Sequence, residues 1–306
     1  MNQNDKISKA WDCLSSDTEK EKRRLTNFSG LNSTHEFHNY LVTGKRDYHY
    51  LNYFKDKYLP QDKNLKIASL GCGDGNLERN LVKSGYLFDV FDAFDINSKL
   101  VDFARREKEK LGINNLNYYL MDINNLSLKT SFYDLIIFFH SLHHLENLEY
   151  VLETVRNSLQ AEGILLVVDY VGPNRMQWTD KVVQIAQELL DIIPQKYRRD
   201  LTVSPEECRY KTRIKKPSIQ EVINFDPSEA VRSGDILDLL YKNFKVLEEK
   251  PTGGTIIDLV FNQIAGNFNE DDDVMRALIL SFQKTEELLL RSSVIKTHYI
   301  FLVAKK

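Results

Sequence analysis

A glycine-rich turn between an apolar segment and an amphipathic segment constrains this chain more than any other feature. The segment Leu65–Val82 reads LKIASLGCGDGNLERNLV, and it begins with the short apolar run that is typical of a buried parallel strand. Gly71, Gly73 and Gly75 follow directly, and apolar residues then recur at helical spacing. Strand, glycine turn and helix are the context that a nucleotide-type site requires, because glycines let a ligand approach the backbone closely.

The spacing of the glycines distinguishes two classes of cofactor. Asn76 stands where the dinucleotide fingerprint has its third glycine, which argues against a pyrophosphate on the helix terminus and so against a nicotinamide dehydrogenase. With Cys72 between its first two glycines, the turn resembles that of the class I S-adenosylmethionine-dependent methyltransferases. In that family the loop passes beneath the amino-acid part of the cofactor, so the resemblance implies S-adenosylmethionine as the cofactor.

Acidic residues follow the next two predicted strands. The second strand, Leu87–Phe94, is closed by Asp95, whose two carboxylate oxygens suit the two hydroxyls of a ribose. The third strand, Leu116–Met121, is followed by Asp122, which the resemblance places against the adenine amino group. The resemblance also assigns cofactor contacts to the residues that follow these acids, Ile96 and Ile123.

Three histidines, His140, His143 and His144, follow the fourth predicted strand, Tyr133–Phe139. They lie at the topological switch point, where open α/β sheets bind ligands. Methyl transfer from a sulfonium needs alignment and exclusion of water, and a hydroxyl acceptor also benefits from a general base such as histidine. His143 is the favoured base, with His140 and Asp169 as the other catalytic candidates; His140 also adjoins the predicted cofactor site.

The histidines raise the question of a metal. No carboxylate at the spacing of a metal motif accompanies them, so the sequence predicts no metal. Cys13, Cys72 and Cys208 lie far apart, without metal-type pairing, and their number suits a reducing compartment.

The predicted acceptor site lies after the fifth strand, Ile164–Val168, because the ends of strands four and five face the same edge of the sheet. Its predicted contacts are polar or aromatic side chains, namely His144, Tyr170, Asn174, Arg175 and Trp178. Asn174 and Arg175 would orient a polar or anionic acceptor. The alternatives are that these two residues cap the next helix and pair with its acids, and that His144 is a core residue.

Five alternations of strand and helix predict an α/β fold with a doubly wound, seven-stranded mixed sheet. The predicted units are an N-terminal helical segment, a Rossmann-like domain and an inserted helical cap, at residues 1–60, 61–172 with 228–306, and 173–227. In the first unit, the aromatic residues from Tyr48 to Phe54 either pack as a helix on the sheet or form a lid with Lys45 and Arg46.

The last part of the chain departs from the resembled family. A helix is predicted over Ser228–Tyr241, and strands over Phe244–Glu249 and Tyr299–Ala304. The family joins its last two strands by a tight hairpin, whereas 49 residues (250–298) separate them here. The runs DYVGPNRMQW, RSGDIL and GGTIIDLVFNQIAGNF are similar to those of a broad bacterial methyltransferase group, which implies no particular substrate.

The bulk properties narrow the range of partners. The net charge of −3 gives no overall electrostatic case for nucleic acid. The N-terminus lacks the apolar core of a signal peptide and no apolar run reaches membrane-spanning length, so we expect a soluble, cytoplasmic protein without a membrane partner.

The sequence therefore predicts methyl transfer from S-adenosylmethionine to a small metabolite, a sugar or a glycan precursor, with O-methylation favoured. One alternative is RNA methylation, because eight basic residues stand against three acidic ones between Pro194 and Pro217. The other is a scaffold that binds the cofactor without catalysis.

Overall fold

The computed structural model describes residues 3–12 and 16–306. Cys13 therefore lies outside the described residues. Cys72 is buried, Cys208 is exposed, and both are free thiols. No helix among the described residues combines the length and the apolar composition that crossing a bilayer requires.

The centre of the fold is one mixed sheet. Its seven strands are β1 (Leu65–Leu70), β2 (Phe88–Asp95), β3 (Leu116–Leu120), β4 (Tyr133–Phe139), β5 (Leu159–Tyr170), β6 (Lys245–Gly253) and β7 (Tyr299–Lys305). Their order across the sheet is β3-β2-β1-β4-β5-β7-β6. The first five strands are parallel, and β7 runs antiparallel to both β5 and β6. The predicted fold class is confirmed.

Helices precede, connect and follow these strands. They are α1 (Gln3–Trp11), α2 (Asp17–Thr26), α3 (Asn32–Thr43), α4 (Tyr50–Tyr58), α5 (Asn76–Lys83), α6 (Ser98–Lys110), α7 (Leu148–Ser158), α8 (Asp180–Ile192), α9 (Ile219–Phe225), α10 (Ile236–Asn243), α11 (Ile257–Phe261) and α12 (Asp273–Arg291). α4, α5 and α6 cover one face of the sheet, and α7 and α10 cover the other.

Successive side chains of each strand pack alternately into the two cores on opposite faces of the sheet. On β1, Ile67 points into the core under α4 to α6, whereas Ala68 points into the core under α7 and α10. Both faces are covered, which is why the central strands are almost continuously apolar. The arrangement leaves the carboxyl ends of β1 to β5 as the edge where polar side chains can gather.

A third apolar core lies outside the sheet. It combines α8, from the predicted cap, with α3, α11 and α12, so its side chains come from three separate parts of the chain. The 45 residues from Gly254 to His298 that join β6 to β7 supply two of these helices.

The aromatic residues between α3 and β1 pack on the sheet. Tyr50 and Phe54 of α4 are buried, and their rings contact Phe301 of β7. Arg46 donates instead to the Gln283 side chain of α12, at 3.1 Å. Of the two readings of this segment, the structure matches the helix packed on the sheet.

The helix predicted over Ser228–Tyr241 is wrong in its first half, because α10 begins at Ile236. Both the backbone N–H and the hydroxyl of Ser228 donate to the Asp226 carboxylate, which fixes a turn. Ala230 then adopts a positive φ of 47°, and the N–H of Val231 donates to the carbonyl of His143. These contacts hold 228–231 against the loop after β4.

Candidate active site

The glycine turn after β1 requires glycine at two positions. Gly71 has a φ of +85°, and a Cβ there would lie 2.3 Å from the Cβ of Ser141. Gly75 has a φ of +73°, and a Cβ there would lie 2.5 Å from the Tyr118 hydroxyl oxygen. Both conditions exclude a side chain, so the close approach of this turn to β3 and to the loop after β4 depends on glycine.

Asp95 ties the end of β2 to this turn. One carboxylate oxygen accepts the N–H of Gly73 at 2.7 Å, and the other accepts the N–H of Asn97 at 2.8 Å. Burial raises the pKa of Asp95 above its usual range, in spite of these hydrogen bonds. Each oxygen has a second lone pair, so the carboxylate can still accept hydrogen bonds from a ribose while it holds the turn.

Replacing Asp95 with alanine is expected to weaken S-adenosylmethionine binding by about tenfold or more, because hydrogen bonds to a charged acceptor contribute roughly 1.5–3 kcal/mol. Isothermal calorimetry with S-adenosylmethionine and S-adenosylhomocysteine measures this effect. Asp95→Asn keeps the shape and one accepting oxygen, so its loss should be smaller. Equal affinities for the parent and a folded Asp95→Ala variant would show that Asp95 makes no ribose contact.

The other predicted cofactor residues lie along the same edge. Asp122 follows β3, and its side chain accepts the N–H of Asn124 at 3.0 Å. This hydrogen bond closes a turn that contains the buried Ile123. His140 follows β4 with a positive φ of 54°, and burial lowers its pKa, which favours the neutral ring. Ile96 follows Asp95 and is half-buried.

α1 and α2 lie across this edge. The Lys20 ammonium forms an ion pair with Asp74 of the glycine turn at 2.7 Å. The Asn97 side chain, after β2, donates to the carbonyl of Ser8 at 2.6 Å. The indole N–H of Trp11 donates to Asp226 at 2.7 Å. α1 and α2 thus connect the predicted cofactor end of the site with the predicted acceptor end.

Asp169, at the end of β5, organises the loop after β4. One of its oxygens accepts the N–H groups of Ser141 and Leu142, at 2.8 and 2.7 Å. The other accepts the N–H of Tyr170 and lies 2.5 Å from Nδ1 of His143. Asp169 is fully buried, and the charge and hydrogen bond of His143 lower its pKa although burial alone would raise it.

His143 lies between two carboxylates. Its Nδ1 contacts Asp169, and its Nε2 lies 3.5 Å from an oxygen of Glu229. Burial alone would lower the pKa of His143, but the charges of Asp169 and Glu229 and the hydrogen bond to Asp169 raise it to about 9. Asp169 therefore orients the ring, and Nε2 is the nitrogen directed to Glu229.

Glu229 is 7% exposed, and among the described residues no group donates a normal hydrogen bond to its carboxylate. Burial raises the pKa of this carboxyl, whereas the charge of His143 opposes that shift. The nearest charged partner of this buried carboxylate is therefore Nε2 of His143, at 3.5 Å.

His144 completes the cluster beside His143. Its ring is centred 4.1 Å from the His143 ring, and Nδ1 lies 2.9 Å from the Ser228 hydroxyl. Trp11 meets the same ring edge-on, with the two ring centroids 5.5 Å apart. Burial lowers the pKa of His144 well below its ordinary value, which favours the neutral ring.

The remaining predicted acceptor residues have partners within the protein. Tyr170 is buried and donates to the carbonyl of Pro173 at 3.2 Å. The Asn174 side chain accepts the N–H of Gly234, and the Arg175 guanidinium donates to the carbonyls of Pro227 and Glu229. Trp178 packs against the third apolar core. Arg175 thus holds the turn that carries Glu229.

Sequence reasoning missed Trp11, Asp226 and Glu229. Each lies more than 50 residues from the histidines along the chain, and Glu229 was assigned to a helix. The run Asp226-Pro-Ser228 carried a usable signal, since Asp followed two residues later by Ser is typical of a side-chain-closed turn.

Three comparisons relate the chain to known proteins. A family model described as a methyltransferase domain matches residues 61–217, just over half of the chain. A ubiquinone biosynthesis O-methyltransferase of Coxiella burnetii is 30% identical over 99 residues, which are 31% of this chain and 41% of that protein. A malonyl-[acyl-carrier protein] O-methyltransferase of Bacillus cereus is 30% identical over 127 residues, 41% of this chain and 44% of that protein. The chain thus spans less than half the length of these relatives.

Among solved structures, a phosphoethanolamine N-methyltransferase 2 of Haemonchus contortus, in complex with S-adenosyl-L-methionine, aligns with a TM-score of 0.53. The alignment covers 97% of this chain and 60% of that chain at 12% sequence identity. At this identity the likeness concerns the fold.

Proposed function

The chain belongs to the class I, S-adenosylmethionine-dependent methyltransferase family, and from that premise we propose that it transfers the methyl group of S-adenosylmethionine to a hydroxyl of a small acceptor. The acceptor class is a small metabolite, a sugar or a glycan precursor. The observation that carries the proposal is the buried cluster of His143, Asp169 and Glu229 at the carboxyl ends of β4 and β5.

The position of the cluster supports its contact with the transferred methyl group. The glycine turn and the loop after β4 touch through Gly71 and Ser141, and the Ser141 hydroxyl donates to the carbonyl of Leu70. His143 lies two residues further along that loop. A cofactor seated on the glycine turn therefore has the acceptor cluster as its neighbour.

The protonation chemistry of the cluster suits a hydroxyl acceptor. A hydroxyl that binds between Nε2 of His143 and the Glu229 carboxylate can pass its proton to this pair as its oxygen attacks the methyl carbon. The new O–C bond forms while the C–S bond breaks, and the products are the methyl ether and S-adenosylhomocysteine. Asp169 holds the imidazole in orientation throughout, and the buried surroundings exclude water.

The names of both curated relatives describe O-methyltransferases, which supports oxygen as the acceptor atom. The chain spans only part of those proteins, so their particular substrates are not carried over. The acceptor's hydroxyl is proposed on the chemistry of the cluster instead.

Contacts of the basic stretch disfavour the RNA alternative. Arg198 pairs with Asp191, Arg209 with Asp200 and Lys216 with Asp180, at 3.8, 2.8 and 3.2 Å. The Lys211 ammonium is buried and donates to the carbonyls of Leu259, Val260 and Asn262. Four of the eight basic residues are therefore already engaged within the protein.

We expect one molecule of S-adenosylmethionine or S-adenosylhomocysteine to bind per chain in calorimetry, and S-adenosylhomocysteine to accumulate when a panel of hydroxylated metabolites is added. Mass spectrometry then identifies an acceptor that is heavier by one methyl group in place of one hydrogen. Binding of NAD with no response to either methyl-cycle ligand would overturn the assignment of the cofactor. Methylation of RNA, with a steep dependence on salt, would overturn the acceptor class.

A further inference from the structure

We propose that His143, His144 and Glu229 form a binding site for one divalent transition-metal ion of the zinc or manganese type. This proposal rests on the proposed function, since the same cluster would receive the acceptor hydroxyl. It also replaces the expectation of no metal, which was based on the lack of a carboxylate near the histidines in sequence. The fold supplies that carboxylate from a position 85 residues after His144.

The geometry provides three converging ligand atoms. Each of the three side chains offers one atom, and these atoms all lie within 4.8 Å of one another. Nε2 of His143 and the Glu229 oxygen are 3.5 Å apart, which is too long for a good hydrogen bond but is the separation expected of two ligands on one ion. The cluster is buried or half-buried, unlike the exposed acidic groups that occur on any protein surface.

The position of the Glu229 carboxylate gives a second reason. Glu229 is more than nine-tenths buried, and its nearest charged neighbour, Nε2 of His143, is 3.5 Å away. The nearby Arg175 guanidinium is turned to the carbonyls of Pro227 and Glu229 and not to the carboxylate. A cation bound by Glu229 would give this carboxylate a close partner of opposite charge.

The local charge favours a cation. Three carboxylates, those of Asp169, Asp226 and Glu229, are buried around the two histidine rings. The guanidinium of Arg175 lies nearby, but it donates to the backbone carbonyls of Pro227 and Glu229. Burying several like charges together is unfavourable without compensation, and a divalent ion offsets two of them.

Outer contacts orient both rings as metal-bound histidines require. Asp169 holds Nδ1 of His143 at 2.5 Å, which is the carboxylate–histidine arrangement found behind metal ligands. The Ser228 hydroxyl lies 2.9 Å from Nδ1 of His144 and in turn donates to Asp226. Ordered second partners of this kind fix the direction of the ligand nitrogens.

The donor set indicates the class of ion. Two imidazole nitrogens and one carboxylate oxygen suit zinc, iron, manganese and their first-row neighbours, whereas magnesium and calcium prefer sets of oxygen atoms. Three protein ligands leave room for further coordination. With the ion bound, Nε2 of His143 would be a ligand and could not act as the base. An acceptor hydroxyl coordinated by the ion would instead lose its proton more readily, because a metal ion lowers the pKa of a coordinated oxygen.

The test is direct metal binding by the full chain. The protein is treated with a chelator, dialysed, and titrated in a calorimeter with Zn²⁺ and Mn²⁺ separately, and the bound metal is counted by mass spectrometry. We expect one ion per chain, and at least a tenfold weaker affinity for Glu229→Gln. Glu207→Gln removes an exposed carboxylate from the cap and should bind as the parent does.

S-adenosylmethionine binding to Glu229→Gln, measured in parallel, shows that the variant is folded. No binding of either ion, or equal affinities for the parent and Glu229→Gln, would overturn the metal site. Methyl transfer that continues unchanged in chelator would also overturn the role of the metal while leaving the proposed function intact. Failure of the parent to bind S-adenosylmethionine would instead overturn the proposed function.

Discussion

Replacing His143 with alanine is expected to reduce turnover by about 10²- to 10⁴-fold, which is the usual contribution of a positioned acid–base group. Affinity for S-adenosylmethionine should stay within about twofold of the parent value, because the glycine turn that is predicted to carry the cofactor is held by Asp95 and Gly71 and not by the imidazole. Steady-state kinetics with the identified acceptor, together with calorimetry of the cofactor, measures the two effects separately.

The matched control is His35→Ala, since His35 is exposed on α3. It should leave both turnover and cofactor affinity unchanged. A His143→Ala variant that turns over at the parental rate would show that the acceptor is bound elsewhere. Loss of cofactor affinity in the same variant would indicate collapse of the loop after β4 rather than loss of a base.

The pH profile gives a second readout for His143. The neighbouring carboxylates raise its pKa to about 9, so the charged ring predominates at neutral pH and the basic form appears only as pH rises. In protein freed of metal, kcat/KM should therefore increase through about pH 9 and not level off near 6.5. A profile that is flat between pH 7 and 9 would exclude His143 as the proton acceptor in that state.

Replacing Gly71 with alanine is expected to produce the largest effect on cofactor binding. The left-handed backbone costs about 1–2 kcal/mol with a side chain. The new Cβ, 2.3 Å from that of Ser141, adds about 1–3 kcal/mol of crowding. We expect the free energy of unfolding to fall by about 2–5 kcal/mol and S-adenosylmethionine affinity to fall at least about tenfold, because the turn must shift away from the loop after β4.

The Gly112→Ala variant measures the cost of backbone strain at a positive φ without a steric clash of the new Cβ. Gly112 also has a positive φ, of +64°, but a Cβ there would meet nothing within 4 Å. It should cost about 1–2 kcal/mol of stability without affecting the cofactor. Denaturant unfolding and calorimetry measure both variants. Equal losses for Gly71→Ala and Gly112→Ala would mean that the turn tolerates the contact with Ser141.

The sheet could be predicted because its strands carry local information. β4 has the predicted bounds, Tyr133–Phe139, since an uninterrupted apolar run between polar turns describes a strand that is buried on both faces. β5 begins at Leu159, five residues before the predicted start at Ile164, and Gly163 lies within the strand. The cofactor roles of the turns after β1, β2 and β3 were inferred from the resemblance to the family.

The acceptor cluster could not be predicted in full, for a physical reason. Glu229 reaches the histidines through a turn closed by Asp226 and anchored by the N–H of Val231 on the carbonyl of His143. The apolar spacing after Ser228 favours a helix, and this tertiary contact overrides it. Asp169 was predicted, since it follows a strand whose end lies beside that of β4.

The covering of the site by α1 and α2 could not be predicted either. α2 reads DTEKEKRRLT and has almost no apolar face that would indicate what it packs against. The Lys20–Asp74 ion pair and the hydrogen bond from the Gln263 N–H to the Thr26 carbonyl hold α2, and the indole N–H of Trp11 on Asp226 holds α1. Single polar contacts between distant residues leave no periodic pattern in the sequence, so they cannot be predicted from it.

The way α1 and α2 are attached has a consequence for how long ligands stay bound. None of the side chains described for residues 6–11 and 18–26 of these helices belongs to any of the three apolar cores. The ion pair of Lys20 with Asp74 is partly exposed, and such pairs contribute only about 0–1 kcal/mol. We therefore expect substitutions that remove these contacts to change the residence time of bound S-adenosylhomocysteine more than they change the melting temperature.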